Sequence, residues 1–139
     1  MITFHALDVE LPVWFNQRKL SRWINEVIAQ HANFSGELSY ILCSDNKILE
    51  INKNHLDHDY YTDIITFNLS NSQKVIRGEI YISLERVEEN AKKMNQTIEN
   101  ELNRVLIHGV LHLMGYQDHT EEERSEMRTK EDYCLSLLP

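Results

Sequence analysis

The sequence has few of the residues that interrupt or cross-link a chain. Its 139 residues include only four glycines, two prolines and two cysteines. So little glycine and proline excludes a collagen-like or low-complexity chain. Cys43 and Cys134 stand too far apart for the closely spaced cysteine pairs of a structural zinc site, and they give no sign of a disulfide framework. Two such cysteines are typical of a protein from a reducing compartment.

Long apolar runs are also missing. No stretch approaches the roughly 18 consecutive apolar residues of a membrane-spanning helix. Residues 1–5 show neither the basic nor the apolar region of a secretory signal. A chain of 139 residues is long enough for one hydrophobic core and too short to expect two. We therefore expect residues 1–139 to form one cytoplasmic domain that has no membrane partner.

The charge balance is acidic, with a formal net charge of -8. Proteins that bind nucleic acid through its phosphates usually have a basic balance, and here the basic residues are too scattered to indicate a patch. The acidic residues concentrate in runs, including Glu131 and Asp132 among the last twenty residues. Such runs are typical of solvated helix faces. Taken alone, the charge favours contact with a protein partner.

One apolar stretch contains two histidines, His108 and His112. Its other residues are apolar or glycine, which predicts a helix buried on nearly all sides. Residues four apart project from the same side of a helix, and Gly115 then permits a sharp turn toward Asp118 and His119. Two imidazoles plus one more nitrogen or oxygen donor, with a fourth position open to water, match a catalytic zinc site. We predict one zinc ion on these residues.

The alternative for this stretch is a pair of core histidines that are satisfied by ordinary hydrogen bonds. A histidine pair at this spacing is common by chance. Two unpartnered imidazoles would nevertheless be costly to bury in an apolar helix, whereas one shared ion satisfies both. The metal site is therefore the favoured interpretation.

Hydrophobic periodicity predicts an α+β fold in which a small mixed sheet of about four strands packs with about five helices. Alternation of apolar and polar residues predicts strands at 2–6, 37–43, 64–69 and 75–83. Three-and-four spacing and capping residues predict helices at about 18–31, 45–51, 84–94, 98–114 and 121–138. The first two strands are expected to be parallel and the last two antiparallel. The metal site then lies at the C-terminal end of the fourth helix.

An irregular polar loop is predicted for residues 52–63. His55, Asp57, His58 and Asp59 lie close together in it, so a second metal site remains an alternative there. Alternating histidine and aspartate in a loop is more typical of solvent-facing turns.

Three segments together resemble the YbeY family. The family's metal motif reads His-Gly-x-Leu-His-Leu-x-Gly-Tyr-Asp-His, and residues 108–116 match its first nine positions. Residues 62–67, Thr-Asp-Ile-Ile-Thr-Phe, are similar to its Thr-Asp-Val-Leu-Ser-Phe segment. Residues 78–83, Gly-Glu-Ile-Tyr-Ile-Ser, are similar to its Gly-Asp-Ile-x-Ile-Ser strand. The likeness covers most of the chain, and the three motifs occur in the right order.

The resemblance implies a bacterial zinc-dependent endoribonuclease that prefers single strands. Such an enzyme would act in rRNA processing, at the 3′ end of 16S rRNA, and in ribosome quality control. Its implied partners are a 16S rRNA precursor as substrate and the small ribosomal subunit with its associated proteins. The resemblance also implies that Thr62, Asp63, Thr66 and Glu79 support the metal site. For Asp63, a structural cap or turn is an equal alternative.

Two departures from the family pattern concern the site itself. Without a gap, the family's third histidine falls on Asp118, and only a one-residue insertion places His119 there. The ungapped register keeps Met127 at its usual distance and favours Asp118, and a carboxylate is a competent zinc ligand. Upstream, residues 55–56 are His-Leu where the family has Tyr-Arg, so the arginine that could hold a phosphate is missing.

Another cation would then have to stabilise charge at the phosphorus. Arg77, Arg104 and Lys53 are the candidates, and the sequence does not choose among them.

Two rival functions stay open. A zinc peptidase would need a glutamate directly after the first histidine, where this chain has Gly109. A ribosome-associated binding protein with a structural metal is the other rival.

Overall fold

The computed structural model describes residues 1–31, 33–56 and 62–139, without the side chains of residues 55 and 56. Within these residues lie four strands and five helices, as predicted. In chain order they are β1 (Ile2–Ala6), α1 (Gln17–Gln30), β2 (Phe34–Cys43), α2 (Asp45–Leu56), β3 (Ile64–Asn68), β4 (Val75–Ser83), α3 (Leu84–Lys93), α4 (Ile98–Leu113) and α5 (Glu121–Ser136). None of these helices combines the length and the apolar character needed to cross a bilayer.

The four strands form one mixed sheet in the order β1-β2-β4-β3. β1 pairs in parallel with β2, and β2 pairs in parallel with β4. β3 pairs with β4 in the antiparallel direction. The predicted parallel start and antiparallel end of the sheet are therefore both confirmed.

Two apolar clusters bury the faces of the sheet. The larger one joins α1 and α4 to β2 and β4, and includes the fully buried Trp23, Tyr40, Ile80 and Leu106. The smaller one lies on the opposite face, where Ile48 and Ile51 of α2 cluster with Cys43, Ile65 and Tyr81. Because alternate residues of a strand point to opposite faces, β4 supplies Ile80 to one cluster and Tyr81 to the other.

The helix starts follow the caps expected from the sequence. Ser83 accepts a hydrogen bond from the Arg86 amide at the start of α3, and Thr97 accepts one from the Asn100 amide at the start of α4. Thr120 and Glu123 form a complete capping box at the start of α5. A side-chain acceptor at this position satisfies an amide that has no partner inside the helix.

Gly78 lies where β4 passes close to β3 and α4. A Cβ at this position would collide with the Phe67 carbonyl oxygen and would lie 3.4 Å from the Leu113 side chain. The glycine in this strand therefore marks close approach by another backbone.

The predicted loop at 52–63 is wrong at its beginning, because α2 continues to Leu56. Ile48, Ile51 and Asn52 stand at helical spacing and all three are buried. The buried side of α2 thus continues through an asparagine, which a search for apolar periodicity overlooks. The second metal site considered for this stretch lies outside the described residues, since it needs the side chain of His55 and residues 57–59.

Candidate metal centre

Helix α4 places the two histidines one turn apart on the same side. The ring centroids of His108 and His112 are 4.5 Å apart. Their Nε2 atoms lie 3.0 Å from each other. Two facing nitrogens need either a proton on one of them or a cation between them, so this arrangement suits two ligands of a single ion.

The turn after α4 brings a carboxylate back to the histidines. Gly115 adopts a φ of +106°, a left-handed conformation that favours glycine. Its amide donates to the His112 carbonyl at 3.0 Å, and the Tyr116 amide donates to the Leu111 carbonyl at 3.1 Å. This is the hydrogen-bond pattern of a Schellman ending, in which glycine reverses the chain direction. Asp118 follows three residues later and reaches the imidazoles.

The three donor atoms form a nearly equilateral triangle. Asp118 Oδ2 lies 3.2 Å from His112 Nε2 and 3.4 Å from His108 Nε2. Ligand atoms of a tetrahedral zinc ion with bonds of about 2.0–2.1 Å lie roughly 3.3–3.4 Å apart. The triangle has nearly this size, and two imidazoles with one carboxylate are ligands that zinc accepts. His108, His112 and Asp118 could therefore hold a metal ion.

His119, the alternative third ligand, is not part of this group in the described structure. The residue is exposed and is tied into the start of α5 through its backbone. Its amide donates to Glu123 Oε1 at 3.1 Å, and its carbonyl accepts from Arg124 Nη1 at 3.0 Å. The turn thus brings Asp118, and not His119, next to the two histidines.

The three candidate ligands can be reached from solvent. The side chains of His108, His112 and Asp118 are 22%, 21% and 35% exposed. No fourth histidine, cysteine or carboxylate joins them among the described residues. An ion bound there would keep a position for water or substrate, as catalytic zinc sites do.

Glu131 is the site residue that sequence reasoning missed. The acidic run that contains Glu131 predicts a solvated helix face, but the residue is buried, with 5% exposure. Its Oε2 lies 2.6 Å from His108 Nδ1, and its Oε1 accepts from Arg104 Nη1 at 2.9 Å. A signal was present, since Glu131 stands four residues after Met127 and three before Cys134, on the buried side of α5.

Electrostatic effects connect Asp63 with the same site. Burial alone would lower the pKa of His108, but the hydrogen bond and charge of Glu131, aided by other carboxylates, raise it. Burial raises the pKa of Asp63, which the charge of His108 opposes. Asp63, directly before β3, is therefore close enough to His108 for the two charges to interact.

Glu79 does not belong to the site, although the resemblance implied it. Phe67 and Glu79 pair across β3 and β4 on the face toward α2, whereas Thr66 pairs with Ile80 on the face toward α4. Strand alternation therefore places Glu79 on the side of the sheet away from the histidines. The Thr62 hydroxyl donates to the Ile64 carbonyl at 3.4 Å, and a side-chain hydrogen bond from Thr62 acts to lower the pKa of Asp63.

Arg104, one of the three candidate phosphate-binding cations, is already held by two carboxylates. Its two terminal nitrogens are engaged by Glu131 at 2.9 Å and by Asp132 at 2.8 Å. Because two carboxylates neutralise the charge of a guanidinium locally, Arg104 has less positive charge to offer a phosphate. Arg77 is exposed on β4, on the same face as Glu79, and Lys53 is exposed on α2.

Two open grooves meet at the turn that follows α4. One, of about 500 Å³, is lined mainly by amide and hydroxyl side chains such as Asn68 and Ser70. The other, of about 390 Å³, is lined by His31, Tyr116 and Glu126 among others. No lysine or arginine of the described chain lines either groove. A ligand in these grooves would be held by hydrogen bonds and stacking more than by opposite charge.

Comparison with known proteins identifies the family. The solution structure of a Thermotoga maritima protein matches with a TM-score of 0.73 and 31% identity, over 99% of this chain and 89% of the other. Endoribonuclease YbeY of Cytophaga hutchinsonii is 48% identical over 119 residues, which are 86% of this chain and 83% of that protein. Endoribonuclease YbeY of Parabacteroides distasonis is 43% identical over 138 residues, covering 99% and 96%. The family model of endoribonuclease YbeY matches residues 7–138, so the chain belongs to the YbeY family.

Proposed function

We propose that this chain is a metal-dependent endoribonuclease whose single zinc ion is held by His108, His112 and Asp118. The observation that carries the proposal is the triangle of donor atoms, 3.0–3.4 Å on a side, at a partly exposed position. The relatives named endoribonuclease support the reaction class. Residues 1–139 would then act as one catalytic domain.

The chemistry of the bound ion is general to hydrolytic zinc enzymes: zinc lowers the pKa of bound water to about 7 and polarises a phosphoryl oxygen. The protein's own residues hold and orient that ion. The two Nε2 atoms converge because α4 keeps their rings one turn apart. Asp118 supplies a negative charge, and the Gly115 turn sets its distance. The two grooves share Met114 and Gly115 of this turn, but neither is lined by His108, His112 or Asp118.

The proposed substrate is single-stranded RNA, specifically a 16S rRNA precursor cut near its 3′ end. The proposed setting is the cytoplasm, at the small ribosomal subunit with its associated proteins, in rRNA processing and ribosome quality control. The absence of basic side chains from the grooves suits this setting, because a ribosomal partner can position the RNA where the enzyme's own charge does not.

A zinc peptidase is disfavoured by the environment of Gly109. A Cβ at this position would lie 3.0 Å from side-chain atoms of Ile64 and Ile80. Position 109 therefore faces the sheet, and a larger side chain there would enter the core instead of reaching a bound water. The general base that peptidases place after the first histidine has no room in this fold.

A purely structural metal is disfavoured by the number of ligands and by exposure. Structural zinc sites are closed by four protein ligands. Here the described residues supply three, and each side chain is at least one-fifth exposed. An ion with an open position facing solvent is arranged for chemistry.

The proposal is tested by measuring zinc binding and RNA cleavage for His112→Ala, Asp118→Ala and His119→Ala. We expect His112→Ala and Asp118→Ala each to weaken zinc binding by more than about 100-fold and to abolish cleavage of a 16S precursor fragment. His119→Ala is the matched control, since its imidazole lies outside the triangle, and it should behave as wild type. Casein serves as the peptidase substrate and should remain intact. Zinc-independent RNA cleavage, or full zinc retention by His112→Ala, would contradict the proposal.

A further inference from the structure

The geometry points to Glu131 as the residue that positions His108 for metal binding, with Arg104 holding Glu131 in place. Helix α5 would then be part of the metal centre although it supplies no ligand. This inference rests on the proposed function, because it concerns the same ion.

The two oxygens of Glu131 have different partners. Oε2 lies 2.6 Å from His108 Nδ1, and Oε1 accepts from Arg104 Nη1 at 2.9 Å. The Glu131 side chain is 7% exposed. A buried carboxylate accepts hydrogen bonds and cannot donate while it is ionised. A neutral His108 must therefore carry its proton on Nδ1, which leaves its Nε2 lone pair facing His112 and Asp118.

The hydrogen bond between Glu131 and His108 is not needed merely to neutralise the buried Glu131 carboxylate. Arg104 alone could neutralise Glu131, and Arg104 also pairs with Asp132 at 2.8 Å. The second Glu131 oxygen nevertheless contacts the nitrogen of His108 that does not face the triangle. A carboxylate in that position fixes the tautomer and ring orientation of a ligating histidine and raises its basicity.

His112 differs from His108 in this respect. Its hydrogen bonds with described residues, to His108 and Asp118, involve Nε2. Among the described residues, only His108 has a buried carboxylate hydrogen-bonded to its Nδ1, the ring nitrogen that faces away from the triangle. The contribution of α5 to the metal should therefore act through His108.

The first experiment measures zinc affinity by chelator competition for wild type, Glu131→Gln and Asp132→Asn. In Glu131→Gln the charged Arg104 should bind the amide oxygen, so the NH₂ group turns toward His108 Nδ1. The proton of His108 would then move to Nε2, the atom that the ion needs. We expect zinc binding to weaken by about 10- to 100-fold. Asp132→Asn removes only the exposed carboxylate partner of Arg104 and should change affinity less than about twofold.

The second experiment observes the tautomer directly by ¹⁵N NMR of the imidazole rings at pH 8. In wild type we expect the His108 proton on Nδ1, both without zinc and with zinc on Nε2. In Glu131→Gln without zinc we expect it on Nε2. Unchanged helix content by circular dichroism would show that Glu131→Gln folds. If this variant does not fold, the ¹⁵N NMR spectrum of wild type still reports the tautomer of His108.

The outcomes separate this inference from the proposed function. Wild type that binds no zinc would refute the proposed function, and the tautomer of His108 would still decide the role of Glu131. Wild type that binds zinc while Glu131→Gln binds it within twofold would overturn only the inference. A wild-type His108 with its proton on Nε2, or with zinc on Nδ1, would overturn it as well.

Discussion

The two sides of helix α4 differ in polarity and in what they contact. On the side toward the sheet, Leu106 and Val110 are fully buried and Gly109 lies against Ile64 and Ile80. The other side carries four polar groups at helical spacing, which are Glu101, Arg104, His108 and His112. A helix that is buried nearly all round can therefore hold a polar stripe, provided that neighbouring elements satisfy it.

The polar stripe is satisfied mainly from α5. Glu131 binds Arg104 and His108, while Asp132 binds Arg104 from the exposed rim. Burying charged groups is costly unless each has a partner. The apolar residues that stabilise the fold therefore lie on the sheet side of α4, and the candidate metal ligands lie on the other side. Substitutions on the two sides should thus have separable effects.

The largest effect on stability is expected from Leu106→Ala on the sheet side. Truncating a fully buried leucine should lower the free energy of unfolding by about 2–5 kcal/mol, because apolar contacts are lost and a cavity remains. Urea denaturation measures this change. Ile98→Ala, at an exposed position of the same helix, should cost far less. If Leu106→Ala also weakens zinc binding more than severalfold in the folded protein, the two sides are not separable.

A smaller loss is expected for Gly109→Ala. Alanine favours a helix over glycine by about 1 kcal/mol, but the new methyl would lie 3.0 Å from Ile64 and Ile80 atoms. Overpacking costs about 1–3 kcal/mol, so we expect a net loss of roughly 1 kcal/mol. Combining Gly109→Ala with Ile80→Val removes Ile80 Cδ1, one of the three atoms at 3.0 Å, so a double-mutant cycle should show a favourable coupling between them. A cycle that is simply additive would show that the sheet side is not tightly packed here.

The smallest effect, and the only stabilising one, is expected on the polar side from Glu101→Gln. Glu101 is 4% exposed, and its Oε1 has no hydrogen-bond partner among the described residues. Burial raises its pKa, as do the charges of Asp63 and Glu131, against the opposing charges of Arg104 and Arg128. The ionised form is therefore disfavoured in the folded state.

Because the folded-state pKa is raised, the Glu101 carboxyl becomes less favourable to folding as the pH rises through that value. Glutamine should therefore stabilise the protein at pH 7.5 by at most about 1 kcal/mol. The gain should shrink as the pH falls and the native carboxyl becomes protonated. Urea midpoints of both proteins at pH 7.5 and 5.0 measure this, and a larger gain at pH 5.0 would show that another group is responsible.

Much of the fold could be predicted from local pattern. Strands β1, β3 and β4 and the caps Ser83, Thr97 and Thr120 follow from alternation and side-chain chemistry near each element. The proximity of His108 and His112 follows from helical spacing alone. Apolar periodicity failed where a polar residue is buried. It ended α2 too early because Asn52 lies on the buried side of that helix, and it predicted a solvated position for Glu131, which is buried on α5.

The sequence by itself determined that two imidazoles project from one side of a buried helix and that a glycine turn follows them. It did so because helical spacing and the left-handed turn are properties of a few neighbouring residues. The tertiary structure decided which groups complete the centre. It brought Asp118 to the histidines instead of His119, placed Glu131 behind His108, engaged Arg104, and put Glu79 on the far face of the sheet. Local spacing can mark Glu131 as buried, but its partners depend on how α5 packs against α4, and residues far apart in sequence meet only in the folded chain.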